Sequence, residues 1–393
     1  LATLYAYVSR GHLQAVPDPA DVRRSLFPAH EVEQLLRRRG RSRRPAAQTL
    51  AALRDGLPVL ETAVAGVVDG QPHFRGRPAL PWAREATLEQ TARLLWQPEP
   101  GEDPFDAPPP RVSAAWRRAA ARRRPDAPAA LSLLARALEE DAVPNDLSPT
   151  HQCAALLRLA FACMLGVPPS AAALHLQCRL AWSLPASADQ PLREALVIGA
   201  ENEMNLPSFV TRAVGSAEVP VGTALLSGLC CSAGRFNGGR TTDVEAMWDE
   251  LLAAPDLARA VRQRLAADGP LPGFVAQAYP AGDPRAARLL QMARKLAPLP
   301  PIAALVRRRT GWWPSVDFGL VALRRGLGAP PGAALVLQFA PRCAGMLAHL
   351  LEQRASGLRL ALRALYDDAQ AVTRAGSDDR RRSAPPSSPR RRR

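Results

Sequence analysis

Lysine is almost missing from this chain of 393 residues: Lys295 is the single lysine among 51 basic side chains. A bias of this kind towards Arg, Ala, Gly and Pro is what a GC-rich bacterial genome encodes, so most arginines carry no functional message of their own. Aromatic residues make up only 5% of the chain and β-branched runs are scarce, which excludes a sandwich or barrel and favours helices punctuated by the 39 prolines. The six cysteines (153, 163, 178, 230, 231, 343) form no Cys-x-x-Cys pair, which excludes a zinc ribbon or dithiol redox motif. They read as buried, reduced thiols of a cytoplasmic protein. No secretory leader is visible, and no apolar run reaches bilayer length: Cys153 to Val167 is cut by Arg158 and stopped by Pro168 and Pro169. Phosphate-cradling glycine loops and metal-ligand spacings are also missing, so neither a resident cofactor nor a metal is expected.

What is present is length, charge at the ends and a set of short motifs. The chain is long enough for two or three domains. Residues 1–45 carry +5 and residues 374–393 carry +6 of the net +15, leaving the body close to neutral. A basic arm and a basic tail suit contact with a polyanion, or simply keep the chain solvated. The Arg/Pro/Ser tail from 374 is low-complexity and reads as disordered. The chain opens on Leu1 within a helical pattern, as does a sequence begun downstream of its natural start. Leu4, Tyr7 and Val8 have helical spacing and stop at Gly11. This segment resembles the second helix of a small excisionase-like helix-turn-helix, which implies Tyr5, Ser9 and Arg10 as DNA-facing residues. Residues 21–44 read as a charged, helix-like stretch ending in a basic linker.

Further on, Val67-Val68-Asp69-Gly70 and His73 to Arg77 predict a β-hairpin with its turn at Asp69-Gly70. A helix is expected to follow, starting within Glu85 to Gln90 and running through Trp96. Residues 98–128 read as a proline-rich loop and a surface helix, residues 131–184 as a helical run with His151 and His175 in structural roles, and residues 357–373 as a last helix.

Five motifs then recur in order: Glu201-Asn202-Glu203-Met204-Asn205; Arg235-Phe236-Asn237-Gly238-Gly239; Pro272-Gly273-Phe274-Val275-Ala276 with Asp283-Pro284-Arg285; Pro314-Ser315-Val316-Asp317-Phe318; and Arg342-Cys343-Ala344-Gly345 running into His349 and Glu352. Their order and spacing resemble the citrate synthase family, from about Pro58 to Tyr366. The resemblance implies a mainly α, two-domain helical fold. In it a large domain (45–237 with 317–373) carries an inserted small domain (238–316), after a partial helix-turn-helix arm over 1–44. It implies a homodimer with no membrane association, and a site that condenses acetyl-CoA, or another acyl-CoA as co-substrate, with oxaloacetate or a related 2-oxo-dicarboxylate.

By the same resemblance Asp317 is the base that takes a proton from the thioester methyl group. Arg285 and Arg342 clamp carboxylates, and Gly238 and Gly239 flank the enol donor. Three histidines of the family pattern are replaced. The enol donor's position is Asn237, a substrate-contacting position is Asn202, and the position that polarises the ketone is Ala276. Asn amides still donate hydrogen bonds; Ala276 donates nothing unless Gln277 swings in. One lost oxyanion-type donor costs about 10²–10³ in rate, and losses within one unit do not simply multiply. Three functional readings follow. The first is a condensing acyltransferase of low rate. The second is a silent body that senses acyl-CoA or dicarboxylate and signals to a DNA-binding element. The third is a helical dimer kept for interaction alone.

Overall fold

Prolines in this chain start helices more often than they break them. A polar cap followed by proline opens four: Asp126 with Pro128, Ser148-Pro149, Asn205 with Pro207, and Asp283-Pro284. In each the cap side chain accepts a backbone N–H of the first turn, and the proline falls where an amide hydrogen has no helical partner. The computed structural model describes residues 16–18, 21–26 and 60–360, apart from 123–125, 235–239, 267–270, 275–278 and 280.

Two compact units divide the chain, residues 1–61 with 361–393, and residues 62–360. In the first, β1 (Val16–Asp18) pairs antiparallel with β2 (Asp21–Leu26), Val16 opposite Leu26, with an irregularity between Pro17 and Asp18. This corrects the helix-like reading of residues 21–26. Pro17 has no N–H to give a helix, and residues 21–26 are extended and paired with Val16–Asp18 instead. Tyr5, Ser9 and Arg10 lie outside the described residues.

The second unit is mainly α. It opens with β3 (Ala65–Val68), β4 (Gln71–Phe74) and β5 (Arg77–Pro78), a three-stranded antiparallel meander. Asp69 and Gly70 both have positive φ, 50° and 71°, as a primed hairpin turn requires. The helices are α1 (Ala79–Glu85), α2 (Leu88–Trp96), α3 (Ala114–Ala121), α4 (Ala127–Glu139), α5 (Pro149–Leu165), α6 (Leu174–Ala181), α7 (Asp189–Ile198), α8 (Leu206–Gly215) and α9 (Val221–Ser232). They continue as α10 (Arg240–Ala253), α11 (Leu257–Ala266), α12 (Pro284–Leu296), α13 (Ile302–Thr310), α14 (Val316–Leu327), α15 (Ala333–Phe339) and α16 (Arg342–Ala355). The hairpin-then-helix expectation holds. The helix begins at Leu88 behind a Thr87–Gln90 capping box, and the short α1 before it is an element the residue pattern did not announce.

The core is built on α5, buried on every face from Cys153 to Met164 because its sequence is apolar all round. Its one charge, Arg158, donates to the carbonyls of Phe105 and Ala107 and lies over the Phe105 ring. Trp96 stacks on Phe105 and donates its indole N–H to the Ala344 carbonyl, joining α2 to α16. His151 has a structural role as expected, its ring nitrogens held by Ser148 and Asp106 at the head of α5.

Three other expectations are corrected here. Cys153, Cys163, Cys178 and Cys343 are buried, but Cys230 is exposed and Cys231 half-buried, because they end α9 on the face turned away from the core. Ala333–Ala355 is, by length and composition, apolar enough to cross a membrane, yet 94% of its apolar window is packed inside the unit. The last helix does not begin at Gly357, whose left-handed φ of 64° closes α16; residues 361–373 lie outside the described residues.

Glu352 fastens the entry of the second unit to its last helix. It accepts from the Thr62 hydroxyl, the Ala63 amide and the Arg212 guanidinium, each at 2.7 Å. Burial raises the pKa of this carboxyl, but those donors and the neighbouring His349 outweigh burial and hold it below the usual carboxylate range. A depressed folded value adds stability that is present above the ordinary carboxylate pKa and is lost as pH falls through the folded one. The stability difference between wild type and Glu352→Gln is therefore expected to shrink between about pH 6 and pH 3, read by urea unfolding at each pH.

Gly345 on α16 generates a second expectation. A Cβ there meets the Ala200 carbonyl at 2.7 Å and Glu201 Oε2 at 1.7 Å. Gly345→Ala should destabilise the fold by about 1–3 kcal/mol, measured by thermal or urea melts, because both neighbours are buried.

Candidate functional site

Five chain segments between residues 200 and 342 supply one cluster of buried and half-buried polar groups. The turn between α7 and α8 (residues 200–205) bends at Glu203, whose φ is +54°, and is sewn to α16 by the Gly345 amide on the Ala200 carbonyl. The heads of α12, α14 and α16 bring Arg285, Asp317 and Arg342, and α15 brings Gln338. Helices α12 and α14 touch almost backbone to backbone. Gly319 faces Leu289 and Ala286, and Gly326 faces the Ala293 backbone, at distances a side chain would disturb. That contact fixes Arg285 relative to Asp317.

Arg285 is buried and nearly saturated from within. Its Nε and Nη2 reach the two oxygens of Asp283 at 3.1 and 3.0 Å, and Nη1 donates to Asn202 Oδ1 at 2.5 Å. Glu203 adds a longer ion pair at 3.6 Å. The guanidinium lies over the Tyr279 ring, whose hydroxyl donates to Glu203 at 2.7 Å. Burial works against the Arg285 charge, but Asp283 and Glu203 outweigh it and hold the group more firmly protonated than a free arginine. The Tyr279 phenol is pushed the other way from acidity, by burial first and then by Glu203.

Arg342 is as deeply buried and far less satisfied. Its Nη2 donates to Asn205 Oδ1 at 2.7 Å, while Nε is buried with no hydrogen-bond partner. Among the described residues no carboxylate lies within ion-pair distance of it. Burial lowers its pKa, Glu201, Glu203 and Asp317 raise it, and Arg285 opposes it. These mutual influences place Arg285, Arg342, Asp317 and the two glutamates in one electrostatic neighbourhood. Behind Arg342, Glu201 accepts from Ser208, and His349 Nε2 lies 3.5 Å from the same oxygen.

Asp317 sits in the first turn of α14 behind Ser315, whose amide is tied to the Gly273 carbonyl at 2.7 Å. Ser315 Oγ donates to Asp317 Oδ2 at 3.3 Å, and Gln338 Nε2 donates to Oδ1 at 2.6 Å. Gln338 Oε1 in turn accepts from the Thr241 hydroxyl at 3.2 Å.

Of the residues singled out in the sequence, Asn202, Arg285, Asp317 and Arg342 come together here. Asn202 turns its oxygen to Arg285. Asn237, Gly238, Gly239 and Ala276 lie outside the described residues. Sequence reasoning missed Thr241 and Gln338. The signal for Gln338 was its position as the single polar side chain in Ala-Ala-Leu-Val-Leu-Gln-Phe.

Comparison with known proteins identifies the family. Residues 109–363 match the family model described as citrate synthase, C-terminal domain. Among curated proteins, citrate synthase 2 of Bacillus subtilis is 25% identical over 187 residues, 45% of this chain and 50% of that protein. The citrate/2-methylcitrate synthase of the same organism is 25% identical over 198 residues, 47% of this chain and 52% of that one. The chain thus spans about half the length of the curated relatives it matches. Among solved structures, Thermotoga maritima citrate synthase superposes with a TM-score of 0.65 at 18% identity, covering 79% of this chain and 94% of that one. The Thermoplasma acidophilum citrate synthase, in a ternary complex with carboxymethyl coenzyme A and oxaloacetate, gives 0.65 at 16% identity, covering 81% and 96%. At these identities the structural likeness establishes the fold alone. The matched stretch 109–363 makes up most of the chain and holds every described residue of the cluster, and on that ground the chain belongs to the citrate synthase family.

Proposed function

We propose that this protein binds a 2-oxo-dicarboxylate such as oxaloacetate, with an acyl-CoA beside it, and that citrate synthesis from acetyl-CoA is lost or strongly reduced. The observation that carries the reading is the buried Nε of Arg342, left without a hydrogen-bond partner and within electrostatic reach of Asp317. A guanidinium buried without a counter-ion is costly, and a ligand carboxylate on its open edge offsets that cost with a charge-assisted, bidentate contact. Arg285 offers less, because Asp283 fills one side of its fork and Asn202 and Glu203 share the rest. Arg342 is therefore the principal clamp and Arg285 the supporting one.

The chemistry after binding is where the chain is deficient. Removing a proton from a thioester methyl group needs a base and, at the same moment, a donor for the developing enolate oxygen. Asp317 supplies the base. Asn237 stands in the enol-donor position, and Ala276 leaves the ketone of the oxo-acid unpolarised. Binding without turnover is the behaviour of a ligand sensor. A homodimer is proposed for it by family, with the site in a cleft between residues 45–237 with 317–373 on one side and 238–316 on the other.

Two measurements test this. Oxaloacetate should raise the melting temperature of the wild type, and Arg342→Gln should weaken that ligand by about 30-fold or more, read by titration calorimetry on folded protein. An unchanged affinity in Arg342→Gln would remove the clamp from the proposal. Second, CoA-thiol release from acetyl-CoA should show no oxaloacetate-dependent rate in the wild type. The triple variant Asn202→His, Asn237→His, Ala276→His should gain a rate at least ~10² above background, lost again when Asp317→Ala is added. A wild type that turns over readily, and stops on Asp317→Ala alone, would make the chain a working synthase and overturn the reading.

A further inference from the structure

The amide of Gln338 occupies a position that a buried helix would ordinarily fill with a hydrocarbon side chain. Every other residue of α15 is apolar, and Gln338 is only 8% exposed. Burying an amide is unfavourable unless both its ends are satisfied, and here both are, by Asp317 at 2.6 Å and by Thr241 at 3.2 Å. Thr241 is itself 1% exposed at the start of α10. The row Thr241–Gln338–Asp317 therefore joins three helices, with each hydrogen bond pointing towards the carboxylate.

We propose that Gln338, backed by Thr241, is the positioning residue of Asp317 and holds it in both of its protonation states. This rests on the reading of Asp317 as the proton acceptor. While Asp317 is ionised, the Gln338 N–H donates to Oδ1 and the Thr241 O–H donates to Gln338 Oε1. When a proton sits on Oδ1, turning the amide over reverses both bonds: Asp317 O–H donates to Oε1, and the amide N–H donates to the Thr241 oxygen. A hydroxyl at 241 is needed because it can both donate and accept. A proton on Oδ2 instead meets the Ser315 hydroxyl, which can accept it in the same way. In either state both ends of the Gln338 amide keep a partner, so proton uptake at Oδ1 does not orphan that buried amide.

The other groups that act on Asp317 differ in kind. Arg342, on α16, exerts a through-space attraction on it. Arg285, on α12, is engaged by Asp283, and Glu201 and Glu203, on the 200–205 turn, act on the same Arg342. From α10 and α15 the facing groups are the uncharged Thr241 and Gln338. Among the described residues the amide is the shorter of two direct donors that favour the carboxylate form, ahead of the Ser315 hydroxyl, and its removal should be visible in the Asp317 titration.

The test is a ¹³C NMR titration of protein labelled at aspartate carboxyls, with the Asp317 resonance assigned from Asp317→Asn. In Gln338→Leu the Asp317 midpoint should rise by about one pH unit, in Thr241→Val by a smaller amount in the same direction, and in Gln338→Glu the titration should split into two coupled steps. Gln338→Met, closer in shape, serves if the leucine variant does not fold. A folded Leu or Met variant with an unmoved Asp317 midpoint would overturn the proposal, since a purely structural role changes stability without touching that midpoint. Deuterium wash-in at the acetyl-CoA methyl group, compared with Asp317→Ala, reports separately on the base. If the midpoint moves while wash-in is independent of Asp317, the positioning role stands and the base assignment falls.

Discussion

Two guanidinium groups buried in one neighbourhood set the terms for the rest of this site. Each opposes the charge of the other, and neither has bulk water to disperse it. The fold resolves the conflict unequally. Arg285 receives a full carboxylate from its own helix cap, a second from Glu203 and an amide oxygen from Asn202. Arg342 receives one neutral oxygen, from Asn205, which is also the cap of α8. One arginine is thereby part of the framework. The other has no carboxylate within ion-pair distance among the described residues, only the longer-range attraction of Glu201, Glu203 and Asp317.

That asymmetry depends on how closely the helices approach. Gly319 and Gly326 let α12 and α14 meet backbone to backbone, and Gly345 lets the 200–205 turn lie on α16 with Glu201 packed against it. A Cβ at any of these would push Arg285, Asp317 or Arg342 away from the others. Helices α5, α15 and α16, buried on nearly all faces, form the floor that keeps the heads of α14 and α16 in register. The polar residues of the site are thus held by apolar packing from below and by small residues between.

How much of this was legible in the sequence follows from the range of each interaction. The Asp69-Gly70 turn and the Thr87–Gln90 capping box are local, and the residue order announces them. The cluster of Asn202, Arg285, Asp317 and Arg342 was legible only through the family resemblance, because its bonds join residues 83 and 137 positions apart. The different fates of Arg285 and Arg342 could not be read at all. Both stand in motifs that look alike as carboxylate clamps, and only the folded distances show that Asp283 turns back on one of them. The strand pairing at Val16–Leu26 is hidden in the sequence because its charged residues imitate a helix.

Gln338 shows the same limit from the other side. Its partner Thr241 is 97 positions away, beyond the reach of any periodicity, yet a lone amide in an apolar helix was a visible anomaly. An imidazole can donate through one nitrogen and accept through the other as its protonation changes. An amide paired with a hydroxyl can do the same by turning over, without changing its own charge. Gln338 and Thr241 thus give this interior a pair of uncharged groups able to face the Asp317 carboxyl with either a donor or an acceptor.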